Sequence, residues 1–340
     1  MLSHGLSLVA YHLSFVAAVL VAAVLLSGCK ATTMIGTYRG GGAVAAEQGA
    51  LFYGQDVLAM PGEPVELIAR LRKPKSFRGI ADVVVAFDAG AQRLGTAVTD
   101  RDGFARLAYT APSRPGDTIV TLTPIQTPAR MSDDVGDVLQ IRYDMLVAVR
   151  PPGERFIVVD LDHTIVDGRA YQVVTGEPPA MADASDVLWR LSERDGYSLI
   201  YLTQRPDALT RKSKHWLTAH RFPPGVLVTV RTKEAMGDTA EVKTRRLREL
   251  MTRWEGIVIG VGDREGDCLA YLANDMQAYV IPDLRQGDDA EKRRRIAAAM
   301  LRRLPDTPNV QAVRNWKQIE QGITQGKRFP AQQLAAELDP

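Results

Sequence analysis

Two acids one residue apart, Asp160 and Asp162, and then a hydroxyl, Thr164, follow directly on an apolar run in FIVVDLDHTIVDG, which begins at Phe156. Three further groups stand in comparable places. Thr203, with Gln204 and Arg205 beside it, follows the apolar run 199–202; Lys243 lies near the start of a helical stretch; Asp263 and Asp267 sit in GDREGD after the run 257–261. Carboxylates act as nucleophiles, as proton donors and acceptors, and as hard oxygen ligands for a divalent cation. Hydroxyl and ammonium groups bind and neutralise developing oxyanions.

The elements that must carry these groups follow from the pattern between 155 and about 285. Apolar runs of four to six residues at 156–159, 199–202, 226–230, 257–261 and 278–281 alternate with amphipathic stretches at 184–193, 208–220 and 241–254. Continuous apolar strands separated by helices predict a parallel sheet with crossover helices, a doubly wound α/β fold. In that fold ligands bind beyond the carboxyl ends of the strands, where the polar set falls. In the last helix Leu247, Leu250, Met251 and Trp254 mark the inward face.

The preceding hundred residues read differently. VELIARL at 65–71, DVVVAF at 82–87, TIVTLTPI at 118–125 and LQIRYDMLVAV at 139–149 are short, rich in β-branched residues and bounded by Gly, Pro and Asp, which predicts about seven strands in a β-sandwich. In the last run Leu139, Ile141, Tyr143, Met145 and Val147 share one face. DRDG at 100–103 supplies only the start of a calcium-loop pattern, the remaining ligand positions being missing, so it is read as a hairpin turn at Gly103. PGEPVELIARL and TAVTDRDGFARLAY resemble bacterial immunoglobulin-like modules; the stretch carries no chemistry of its own, so spacer, docking surface and substrate guide are all open roles.

The totals agree with two cores. A chain of 340 residues that is 46% hydrophobic is globular, and Lys+Arg 42 against Asp+Glu 40 leaves +2, without the basic footprint of a nucleic-acid binder. LSFVAAVLVAAVLLSGC is an apolar run closed by small residues and a cysteine. Leu26, Ser27, Gly28 and Cys29 resemble the lipobox of bacterial lipoproteins, which implies cleavage before Cys29, acylation of its thiol and a membrane tether; an uncleaved anchor is the other reading. Lys30 after it points to the outer membrane, on its periplasmic face. With Cys29 acylated, Cys268 is left without a disulfide partner, and no cysteine-based zinc site can form. The expected organisation is a signal peptide at 1–28, a flexible tether at 29–50, an immunoglobulin-like sandwich at 51–150, an α/β unit at 151–323 and a polar tail at 324–340.

DLDHT, the Thr after the second run, a Lys and GDREGD resemble, in order and spacing, the four motifs of the haloacid dehalogenase superfamily of phosphohydrolases. The resemblance implies Mg2+ held by Asp160, the backbone carbonyl of Asp162, and Asp263, with Asp267 as ligand or behind one. It implies Asp160 as the nucleophile that becomes an aspartyl phosphate, and Asp162 as the acid and then base. Thr203, Gln204 and Arg205 would bind substrate, with a structural ion pair as the other reading of Arg205, and Lys243 would neutralise charge. Lys233 competes with Lys243, which is preferred for its place on an amphipathic helix. His163 occupies a variable position.

The chain shows only a minimal cap, GRAYQVVTGEPPAMADASD, which favours bulky substrates. YLTQRPDALTRKSKHWLTAHRFPPGVLV and EVKTRRLRELMTRWEGIVIGVGDREGDCLAY resemble the catalytic half of lipins, which have Gly where His163 stands. That likeness implies phosphatidate as the phosphomonoester substrate, or a fold kept to bind phosphatidate without turnover. The basic stretch from Asp289 packs Ile296, Met300 and Leu301 inward as a crossover helix, or lies on anionic lipid.

Overall fold

The computed structural model describes residues 50–74, 76–128, 138–168, 177–231, 234–287 and 289–339. The expected leader, the acylated Cys29 and nearly all of the tether lie outside these residues, as does Lys233.

Residues 155–339 build a six-stranded sheet from β9 (Arg155–Val159), β10 (Tyr197–Pro206), β11 (Val226–Val230), β12 (Ile257–Gly262), β13 (Gln277–Val280) and β14 (Val310–Ala312). The order is β11-β10-β9-β12-β13-β14, and every neighbouring pair is parallel. Chain order reverses between β9 and β12, which is the switch point at which doubly wound sheets hold ligands. The strands are built on continuous apolar runs because both faces of the sheet are covered. Phe156 and Val158 face one core together with Leu247 of α3 (Thr239–Met251), Ala270 and Tyr271 of α4 (Glu265–Leu272), and Ala298 and Leu301 of α5 (Ala290–Arg303). Ile157 and Val159 face the other, with Val187 and Leu188 of α1 (Ala184–Glu193), Trp216 of α2 (Thr210–Ala219) and Trp316 of α6 (Trp316–Gln325).

Three details correct the sequence reading. The segment expected to be a polar tail carries α7 (Ala331–Leu338), whose Ala331, Leu334, Ala335 and Leu338 are buried against α5. These four apolar residues are spaced at i, i+3, i+4 and i+7 over only two turns, a pattern too short to stand out against the surrounding Gln and Glu. Ile296 is 52% exposed; α5 buries Leu301 as expected and part of Met300, with Ala297 and Ala298 taking the place of Ile296. Trp254 lies beyond the end of α3 yet is buried, edge-on to Phe156 with ring centroids 5.4 Å apart.

Residues 50–149 form two sheets, β1-β3-β6 and β2-β8-β7-β4-β5. The strands are β1 (Leu51–Gly54), β2 (Val57–Ala59), β3 (Pro64–Arg72), β4 (Val84–Ala89), β5 (Gln92–Val98), β6 (Phe104–Thr110), β7 (Gly116–Gln126) and β8 (Tyr143–Val149). Phe52, Leu67 and Leu71 from one sheet meet Val85, Phe87, Leu122 and Met145 from the other in a common core. The turn at Asp100–Gly103 is present, with Gly103 at φ +80°, but it joins β5 and β6, which belong to different sheets, so it is a crossing and not a hairpin. A side chain at Gly103 would run into the Leu71 carbonyl.

β8 is buried on both faces. Tyr143, Met145 and Val147 enter the core between the two sheets, while Leu146 and Ala148, joined by Leu58, enter the core of the parallel sheet. Leu139 precedes the strand in a helical turn and is 40% exposed, so the face expected to begin there starts at Ile141. Among the described residues no helix is long and apolar enough to cross a membrane.

A buried acid secures this contact. Asp56, its side chain 1% exposed, accepts the amides of Leu146 (2.7 Å) and Leu227 (3.0 Å) and pairs with Lys214. Removing it strands two buried donors and a cation, so Asp56→Ala is expected to lower the unfolding free energy by about 3 kcal/mol in denaturant titration. Glu63→Ala breaks the half-exposed pair with Arg253 and the bond its carboxylate accepts from the Met60 amide at 2.8 Å, and is expected to cost only about 1 kcal/mol.

Candidate functional site

β9 and β12 lie side by side, so Asp160 and Asp263 leave the sheet as neighbours at its carboxyl end. Asp267 returns to the same place from the first turn of α4. Its Oδ2 accepts the Arg264 amide at 3.3 Å, which folds the carboxylate back over Gly262. A Cβ at residue 262 would sit 2.5 Å from that of Asp267, so the first residue of GDREGD can only be glycine. Asp160, Asp263 and Asp267 each offer a carboxylate oxygen within 4.8 Å of the other two.

Lys243, on the inward face of α3 and 1% exposed, drives its ammonium between two of them, 2.6 Å from Asp160 Oδ1 and 2.6 Å from Asp267 Oδ1. Burial works against its charge, but the two carboxylates override it and hold the amine well above its ordinary range. Burial pushes Asp160 up to about 6 against the pull of Lys243, with Asp267 and Asp162 adding to the rise. Asp263 is likewise raised, by burial first, although Arg264 opposes it from 3.6 Å. Three carboxylates therefore crowd one ammonium and one half-exposed guanidinium. That set of hard, incompletely neutralised oxygens fits a hard divalent cation.

Asp162 points elsewhere. Its carboxylate takes a two-pronged bond from Arg205, Nε to Oδ2 at 2.9 Å and the terminal nitrogen to Oδ1 at 2.7 Å, and Arg205 also donates to Ser213 Oγ at 2.9 Å. Burial raises the Asp162 carboxyl, but Arg205 more than reverses this and leaves it below its ordinary range. The Asp162 side chain is thus outside the three-carboxylate cluster. Both residues forecast from sequence come together, with Arg205 holding an acid in place of a substrate.

Thr164 is fully buried and donates to Asp160 Oδ2 at 3.3 Å, and its own carbonyl accepts the Trp316 indole N–H at 3.0 Å. Thr203 is also buried, its hydroxyl accepting the Arg205 amide at 3.2 Å. Gln204 turns away from the cluster. Its amide nitrogen donates to the Gly237 carbonyl at 2.8 Å and its oxygen accepts from Thr239, which fastens β10 to the start of α3. The helix that carries Lys243 is placed by that strut and by Asp238, whose side chain caps it through the Glu241 amide.

His163 has φ +61°, the left-handed region where a Cβ meets the following carbonyl. Its amide donates to the Val166 carbonyl at 3.1 Å, closing the turn that brings Thr164 under Asp160. Arg264 and Arg285 also belong to the rim: both act on His163, whose ring burial holds below its ordinary range, and Arg285 is paired bidentately with Asp283 at 2.8 and 2.6 Å. Sequence reasoning passed over Ser213, Arg264 and Arg285. Arg264 stood inside a motif as a variable position, Ser213 stood in the lipin-like stretch with no role assigned to it, and Arg285 lies outside every motif.

The comparisons place this region among known proteins. Residues 157–281 match the family described as PITM 1-3, LNS2 domain. The chain is 26% identical over 205 residues to the membrane-associated phosphatidylinositol transfer protein 3 of Mus musculus, covering 58% of this chain and 18% of that protein. It is 35% identical over 135 residues to protein retinal degeneration B of Drosophila melanogaster, covering 39% of this chain and 10% of that protein. The chain spans less than a fifth of the length of either relative. Among solved structures, a D,D-heptose 1,7-bisphosphate phosphatase from B. bronchiseptica complexed with magnesium and phosphate is 12% identical, with a TM-score of 0.36, covering 51% of this chain and 99% of that one.

The left-handed turn yields a measurable contrast. His163→Gly is expected to be about 1 kcal/mol more stable than His163→Ala in thermal unfolding, because only glycine adopts this backbone without strain.

Proposed function

We propose that the chain is a Mg2+-dependent phosphohydrolase that works through an aspartyl phosphate, and that its substrate is phosphatidate or another bulky phosphomonoester met at the cell envelope. The observation that carries the reading is the buried Lys243 ammonium shared by Asp160 and Asp267, with Asp263 beside them. A carboxylate nucleophile and an anionic phosphate repel each other, and such a cluster is what brings them together.

Asp160 is the nucleophile in this reading: the turn fixes its position and Thr164 orients it. Asp160, Asp263 and Asp267 are the side chains that would hold Mg2+, which supplies positive charge between the phosphate and its attacker. The phosphoryl group passes to Asp160 as the ester oxygen leaves, and hydrolysis of the acyl phosphate restores the carboxylate. Lys243 neutralises charge on Asp160 and on the equatorial oxygens. The Thr203 hydroxyl, which accepts the Arg205 amide, would offer its own proton to a phosphoryl oxygen. Asp162 protonates the leaving oxygen and later takes a proton from water; because Arg205 holds it ionised, that grip must loosen when substrate arrives so that the buried carboxyl first takes up a proton from solvent.

Lipid as the substrate class draws support from the phosphatidylinositol transfer proteins to which the chain is similar. Placement on the envelope through acylated Cys29, on the periplasmic face of the outer membrane, belongs to the same reading. A second reading has one observation in its favour: the phosphatidylinositol transfer proteins among the relatives are named for transfer and not for hydrolysis. In that case the same pocket binds phosphatidate without turning it over.

Aryl phosphate hydrolysis separates the two. Asp160→Asn is expected to abolish turnover with an unchanged circular dichroism spectrum, and Lys243→Ala to lower kcat about 10²- to 10³-fold; turnover that survives Asp160→Asn removes the nucleophile. EDTA is expected to stop hydrolysis and Mg2+ to restore it. Because Asp160 must shed its proton to act as a ligand, and that proton leaves near pH 6, Mg2+ affinity is expected to weaken as pH falls through 6 and binding to release protons. Calorimetry in buffers of different ionisation enthalpy measures both.

A further inference from the structure

β10 loses its regular pairing where its functional residues begin. Against β9 the ladder stops at Tyr201, and against β11 the register runs from Leu202 to Pro206 on β10 while β11 advances only from Val228 to Val230. Thr203, Gln204 and Arg205 therefore form a bulge without register partners in either ladder. A bulged run keeps its aim only if something else holds it. Gln204 is held by α3, and Arg205 by Asp162 and Ser213.

The end of the bulge is held from outside the parallel sheet. Asp207, 7% exposed, receives the Tyr53 hydroxyl at 2.8 Å and Arg70 at 2.6 Å on one oxygen, and Arg72 at 3.2 Å on the other. All three donors stand on β1 and β3. They are themselves fixed there: Arg70 lies over the Phe104 ring at 4.2 Å, and Arg72 Nε donates to the Phe77 carbonyl at 2.7 Å. Two guanidiniums and a phenol on one buried carboxylate are more than packing two surfaces together requires, since the interface already has its apolar contact and Asp56.

We propose that Asp207 is a positioning residue, and that Tyr53, Arg70 and Arg72 act through it to hold the Thr203–Arg205 bulge at the site. The amino-terminal sheet, which carries none of the reacting groups, thereby governs the phosphohydrolase reaction; this rests on the function proposed above. Asp207 lies two residues beyond Arg205, so a shift of the bulge end changes how Arg205 meets Asp162. A sheet that merely adds stability would leave that contact unchanged in any variant that folds.

The test uses the full chain in detergent with Arg70→Gln/Arg72→Gln together, and Tyr53→Phe as a milder cut that folds if the double variant does not. The first readout is hydrogen exchange at Arg205 Nε, followed by nitrogen-15 NMR. At least a tenfold acceleration is expected in the double variant and a smaller one in Tyr53→Phe; an unchanged rate in a folded variant overturns the proposal. The second readout is kcat and KM for an aryl phosphate. A drop of at least tenfold in kcat is expected, and it is expected to vanish when the same changes are made in an Arg205→Gln background; equal losses in both backgrounds overturn it. If the unaltered chain hydrolyses nothing, the phosphohydrolase reading fails, and the exchange measurement alone still decides whether the clamp positions Arg205.

Discussion

One buried ammonium among three carboxylates sets the terms for everything around it. Taking Lys243 out of water is costly, and the contacts to Asp160 and Asp267 at 2.6 Å offset that cost only because both acids are buried with it. The acids in turn need more positive charge than one lysine supplies. The sheet topology, the glycine that lets Asp267 fold back, the left-handed turn at His163 and the Gln204 strut to α3 all serve to hold like charges close together. Such an arrangement is poor at stabilising a fold, so its presence at a switch point argues for chemistry.

Charge is balanced differently a few ångströms away. Asp162 has a bidentate guanidinium of its own that holds it below the ordinary carboxylate range, while burial lifts Asp160 to about 6. Two acids separated by a single residue thus sit in opposite environments, one facing the lysine and the other facing Arg205. Alternation along an extended backbone sends neighbouring odd and even positions apart, but here the turn beginning at Asp162 breaks the strand, so the two carboxylates diverge despite their equal parity.

The sheet and the site motifs were legible in sequence because both follow simple periodicities. Apolar runs bounded by acids marked β9 and β12, and the spacing in GDREGD placed Asp267 one helical turn past the strand end. What escaped was set by partners far away in the chain. Gln204 and Arg205 had the right chemistry for substrate, yet their contacts lie with Gly237, Thr239 and Asp162, which no local pattern predicts. The helix at Ala331–Leu338 and the strand at Val310–Ala312 were too short to show a period. β8 looked like a one-sided strand because alternation marks burial on one face only, and its small Ala148 gave no sign of a second neighbour. The opening strands were read correctly as β structure, but whether they were a passenger or a working part was not written in them.

Leu146 and Ala148 extend that last point to the exchange of one half for another. A strand whose reverse side completes its neighbour's hydrophobic core cannot be traded for an unrelated one without leaving grease exposed on what remains. An exchange of either half for an unrelated module would leave Leu58, Leu146 and Ala148 without their apolar neighbours across the seam.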